Sequence, residues 1–159
     1  MQAVNFNCPG QIVIAGKKEA VEKAAEMLKA AGAKRAIMLP VSAPFHSTLM
    51  KPAAERLEAE LKTITANDAL IPVVANVNGQ IITNGQEIKV SLVKQADSPV
   101  EWEECIAEIV KYGANTLVEV GPGKVLTALT KKITKDVESL NVEDLASLEK
   151  NLDYFKEVN

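Results

Sequence analysis

Gln11-Ile12-Val13-Ile14-Ala15-Gly16, then residues 17–31, then Ala36-Ile37-Met38-Leu39-Pro40, form the stretch on which the fold class turns. The first six residues are a short β-type run ended by a glycine, which predicts a strand. Val21, Ala24, Ala25, Leu28 and Ala31 then recur at helical spacing as a narrow, alanine-rich stripe. Gly32 stands where the glycine after a helix C-terminus belongs. Residues 36–39 are apolar throughout and stop at Pro40, so they predict a second strand. Strand, helix and strand in this order predict a sheet covered by helices, and the class is α/β.

Working outward, Asn5-Phe6-Asn7-Cys8-Pro9-Gly10 is polar and turn-rich, and predicts a loop feeding the first strand. Residues 40–47 hold two prolines, two serines, Phe45 and the single histidine, and also predict a loop. Residues 49–61 are helical in pattern, with Pro52 confined to the first turn, since an interior proline costs about 3 kcal/mol. Residues 72–76 and 80–82 flank Asn78-Gly79, a hairpin signal. Two helices follow, over about 86–95 and 101–112; Ser98-Pro99 separates them and can begin the second, with Ser98 capping and Pro99 at its first position. Residues 116–120 predict a strand, Gly121-Pro122-Gly123 a sharp turn, 124–133 an amphipathic helix, and the tail from Asn141 a last helix.

The 159 residues are 47% hydrophobic and 25% charged, with a formal net charge of −3, which fits one compact domain or two small lobes. The mild acidity argues against nucleic acid as a partner, because phosphate binding needs clustered Lys and Arg. No apolar run approaches the roughly 20 residues that span a bilayer, and Met-Gln-Ala-Val-Asn is no signal peptide. Cys8 and Cys105 form no CxxC or Cys/His grouping, so a reduced, cytoplasmic setting and no metal site are expected.

His46 is the residue best suited to exchange protons near neutral pH, and it sits in a loop between a predicted strand and a helix. On position alone it is more simply a surface or helix-capping histidine. Gly121-Pro122-Gly123-Lys124 resembles a phosphate-cradling turn, but it has neither Walker A nor GxGxxG spacing, and a tight turn beside a substrate wall is the better reading. Lys131, Lys132 and Lys135 cluster near a helix C-terminus, where they complement the helix dipole or dock an acidic partner. None of Ser42, Ser47, Ser91, Ser98, Ser139 and Ser147 lies in a G-x-S-x-G frame. The chain offers a general base without a visible activated nucleophile.

Five segments together resemble the C-terminal half of the malonyl-CoA:acyl carrier protein transacylase family. They are residues 5–16, Gly32-Ala33-Lys34-Arg35, residues 41–46 continuing through Leu49-Met50-Lys51-Pro52-Ala53, Lys94-Gln95 with Ser98-Pro99-Val100, and residues 119–126. The resemblance implies part of an α/β-hydrolase-like acyltransferase core, residues 41–159, and a remnant of a ferredoxin-like small lobe, residues 1–40. It implies Ser–His acyl transfer in which His46 is the base and the backbone carbonyl of Gln95 orients its ring. It places Phe45 as a wall that restricts bulk on the acyl group, a discrimination worth about 1–3 kcal/mol per methyl. Asn7 and Val125 would lie near the cleft.

The resemblance also implies no cofactor, with malonyl-CoA and phosphopantetheinylated acyl carrier protein as substrates. The family's serine elbow, its carboxylate-binding arginine and most of its oxyanion hole belong to an N-terminal half that has no counterpart here. The chain alone is therefore expected to be inactive, with the missing half and the carrier protein as partners. The alternative is a non-catalytic α/β module, or a truncated gene product, that binds the carrier protein.

Overall fold

The structure, a computed structural model, describes residues 1–158. Asn159, the last residue of the expected 41–159 segment, lies outside them. Strands β1 (Gln2–Cys8) and β2 (Gln11–Ala15) form an antiparallel hairpin turned by Pro9-Gly10. On its other side β1 pairs in parallel with β5 (Val100–Glu101), giving the order β2-β1-β5. Residues 5–8 are thus strand and not the expected loop. Asn5 and Phe6 have ladder partners on both sides, Val13 and Ile12 on one and Val100 and Glu101 on the other, and this pairing overrides the weak strand preference of asparagine. The same pairing carries hydrogen bonds between the 1–40 and 41–159 segments.

Helix α1 (Lys18–Ala30) ends as its sequence predicts. The Gly32 N–H donates to the Lys29 carbonyl at 3.1 Å and the Ala33 N–H to the Leu28 carbonyl at 2.9 Å, which is the Schellman arrangement. Residues 36–39, expected as a strand, are not one. A strand needs a neighbour to accept its ladder bonds, and among the described residues none runs beside this segment; Ile37 is left 71% exposed.

A 3-10 turn (Thr48–Met50) leads into α2 (Lys51–Lys62), with Pro52 in the first turn, and α2 packs on α3 (Gly85–Asp97). Between them β3 (Val73–Ala75) and β4 (Gln80–Ile82) pair antiparallel around the expected Asn78-Gly79 turn. Gly79 has φ +61°, and a Cβ there would come within 2.8 Å of the Glu104 Cβ. Only glycine lets this hairpin lie against α4 (Trp102–Lys111).

Ser98 and Pro99 do not open α4; they close α3. Proline disfavours the helical region for the residue before it, and Ser98 is accordingly extended at φ −115°, ψ 155°. Helix α4, with Cys105 and Ile106 buried, packs on β1, β3, β4 and α5 (Val125–Ile133). Helix α5 is the crossover between β6 (Thr116–Val120) and β7 (Glu138–Val142), which pair in parallel from Thr116 opposite Glu138 to Val120 opposite Val142. Strand β7 was not expected, because Ser139 and Asn141 interrupt its apolar pattern; it forms because β6 supplies a ladder. The last helix, α6 (Leu145–Val158), therefore begins later than Asn141.

Candidate active site

The site starts from the end of α3. The last carbonyls of any helix have no amide one turn ahead of them, and that of Gln95 is among these. It accepts a hydrogen bond from the His46 ring, Nδ1 to oxygen 2.9 Å. A carbonyl oxygen only accepts, so Nδ1 carries the proton, and a neutral ring then presents its lone pair at Nε2. The Gln95 side chain turns away from this contact, its Nε2 donating to Ser91 Oγ at 3.2 Å.

The loop that delivers His46 is closed on itself. Ser47 Oγ donates to the Pro44 carbonyl at 2.6 Å, and Ser47 is 1% exposed. Within that turn His46 has φ +60°, the one left-handed non-glycine backbone among the described residues. Such conformations persist where the surroundings over-determine them and cluster at functional sites. The loop's far end is tied to β1: both the backbone N–H and the Oγ1 of Thr48 donate to Gln2 Oε1, at 2.8 and 2.9 Å. Nothing local in the sequence signals Gln2, because its partner lies 46 positions away.

Of the five expected site residues, the structure joins His46 and Gln95 directly. Phe45 precedes His46 in the loop and is 51% exposed; Asn7 is half-buried on β1; Val125 opens α5 and is 67% exposed. Among the described residues, no hydrogen bond ties Phe45, Asn7 or Val125 to the His46–Gln95 pair. The two thiols are buried and unpaired, and burial pushes that of Cys105 up to about 11, which keeps it protonated and unreactive near neutral pH.

Two carboxylates already occupy the donors of the turn at residues 121–124 and of the start of α5, while the Gly121 N–H donates to the Val142 carbonyl at 2.9 Å. Glu119 accepts from the Leu126 N–H at 3.0 Å, and from the Thr127 N–H and Oγ, both at 2.7 Å. Burial raises the Glu119 pKa, but these bonds from Thr127 and Leu126 outweigh it and hold the carboxyl below its usual range. The Gly123 N–H donates to Glu143 Oε2 at 3.1 Å, and Lys124 pairs with the same carboxylate at 3.2 Å. A phosphate seated here would have to displace two anions, so the turn is a structural one. Of the lysine cluster, Lys131 and Lys132 are exposed, and the Lys135 ammonium folds back onto the Lys131 carbonyl.

An acyl transferase domain matches residues 2–158, nearly the whole chain. The chain belongs to this acyl transferase family. A malonyl CoA-acyl carrier protein transacylase of Haemophilus influenzae is 52% identical over 147 residues, 92% of this chain and 47% of that protein. The crystal structure of the Clostridium perfringens malonyl CoA-acyl carrier protein transacylase superposes with a TM-score of 0.94 at 46% identity, covering 99% of this chain and 49% of that one. A malonyl-transacylase solved in complex with its type II PKS acyl-carrier protein is 48% identical, with a TM-score of 0.93 over 96% of this chain and 50% of that one. This acyl transferase chain spans about half the length of the curated relatives it matches. Its mixed α/β architecture is that of the family, and no described helix is long and apolar enough to cross a membrane.

Proposed function

We propose that this chain is the C-terminal, histidine-bearing half of a malonyl-CoA:acyl carrier protein transacylase, and that His46 is its general base. The observation that carries this reading is the 2.9 Å bond from His46 Nδ1 to the Gln95 carbonyl, which leaves Nε2 free to take a proton. In the assembled enzyme, Nε2 takes the proton of a serine hydroxyl from the complementary half as that oxygen bonds to the thioester carbon. The carbon–sulfur bond then breaks, and the coenzyme A thiol leaves with the proton. In the second half-reaction the carrier protein's phosphopantetheine thiol gives its proton to Nε2 and attacks the acyl-serine. The acyl–serine bond breaks, and the proton returns to the serine oxygen. The carbonyl at the negative end of α3 faces the ring edge that shares the positive charge in between.

Phe45, exposed beside His46, is the wall that limits the acyl group to malonyl size, and Asn7 and Val125 complete the rim. No cofactor takes part, and the reaction is placed in the cytoplasm, in keeping with two buried, unpaired thiols. Alone the chain has no acyl-enzyme serine and no arginine to clamp the malonyl carboxylate, so it is inactive. Mixing it with a separately expressed N-terminal half of a transacylase is expected to restore malonyl transfer to the carrier protein. If the complemented enzyme transfers malonyl equally well with His46→Ala, the assigned role is wrong.

A further inference from the structure

We propose that Pro99 is a positioning residue for His46 and that it acts through the N–H it lacks. This rests on the reading of His46 as the base. Along α3 each carbonyl is served by the amide four residues ahead, and the series runs on to Lys94, whose oxygen receives the Ser98 N–H at 3.0 Å. The next carbonyl is that of Gln95, and its partner would be the amide of residue 99. Residue 99 is proline, which has none.

Pro99 acts a second time through Ser98, held extended so that the chain leaves the helix for β5. No later amide can then swing back over the Gln95 oxygen as a continued helix would bring it. The carbonyl is left bare in half-buried surroundings, where an unmet acceptor is costly, and among the described residues His46 Nδ1 is the donor that meets it. A helix ended one residue later, or by glycine, would offer a competing N–H to the same lone pairs. The proline thus reserves the acceptor, and the reserved acceptor decides which ring nitrogen carries hydrogen and which stays free.

The chain carries a single histidine, so its imidazole 15N and C2–H resonances identify themselves. In the full unmodified chain at mildly alkaline pH, the neutral ring is expected to be chiefly the Nδ1–H tautomer. Two variants separate donor from shape: Pro99→Ala, which adds an N–H, and a chain carrying lactic acid at position 99, whose ester oxygen adds none. The alanine variant should move the tautomer ratio several-fold toward Nε2–H, while the ester variant keeps the original ratio. If both variants keep it, Pro99 plays no part; if both lose it equally, the ring's shape and not the absent donor is responsible. Either result overturns the proposal.

Should the variants fail to fold by circular dichroism, the unmodified chain still decides. The Gln95 carbonyl 13C shift is expected to follow the His46 titration with the same midpoint, and an unmoving shift overturns the proposal. These spectra are independent of catalysis. Failure of the His46→Ala complementation test would sink the catalytic reading and leave them unchanged.

Discussion

The His46 loop and strand β6 are both strand-adjacent pieces of the same chain, yet they are held very differently. Residues 44–48 are fastened in three directions: Ser47 to Pro44 within the turn, His46 to the end of α3, and Thr48 to Gln2 on β1. Strand β6 is fastened on one side, by β7, and among the described residues no strand pairs with its other edge. Parallel strands are normally covered on both faces, but Val120 on β6 is 80% exposed, and Ile37 and Ile71 stand similarly bare elsewhere. The loop draws its restraint from polar bonds contained in this chain. Strand β6 presents apolar surface, at Val120 above all, that the described residues leave uncovered. A histidine loop held by polar bonds and a strand with apolar surface left bare are both what the proposed complementary half would require.

The sharpest way to break this comparison is to remove the proposed base. In the complemented enzyme, His46→Ala is expected to lower malonyl transfer by about 10²- to 10⁴-fold, while the free chain loses about 1–3 kcal/mol of stability because the half-buried Gln95 carbonyl loses its donor. Next in size is Ser47→Ala, which leaves the half-buried Pro44 carbonyl without its donor and the left-handed His46 without its brace. It should destabilise the chain by about 1–3 kcal/mol, read from the urea midpoint, and a change within error would mean that the loop is held elsewhere.

Glu119→Gln tests the base of β6, where a carboxylate caps α5. The expected loss is about 0.3–1 kcal/mol at neutral pH. Since folding lowers this carboxyl's pKa, its contribution is present above the unfolded carboxylate range and is lost as pH falls through the folded value. The gap between wild type and variant in urea should therefore close on acidification; a gap that widens would contradict the cap. The smallest effect on stability, within about 0.5 kcal/mol, is expected for Val120→Lys on the exposed side of β6. The same change should reduce self-association of the free chain in solution scattering, because an edge lysine discourages strand pairing. A wild-type chain that is already a compact monomer would show that the open edge is no liability.

Several parts of the fold were legible because their causes are local. The Asn78-Gly79 turn, the strand at 116–120, the helix over 124–133 and the Gly32 cap each follow from a few neighbouring residues. Proline at 99 was legible too, but its direction was not: Ser-Pro reads equally as the start of one helix or the end of the one before. The His46–Gln95 pair was reached through resemblance to a family. No spacing rule joins a ring to a backbone carbonyl 49 residues away, and the carbonyl of Gln95 has no side-chain signature at all.

By itself the sequence determined the α/β class, most helices, the tight turns and the presence of one titratable imidazole in a proline-rich loop. These depend on side-chain periodicity and on the fixed backbone habits of glycine and proline. Tertiary structure alone decided that residues 36–39 are not a strand while 2–8 and 138–142 are, because a strand exists only where another offers a ladder. It also decided which imidazole nitrogen is free, since that follows from an acceptor brought in by the packing of a distant helix end.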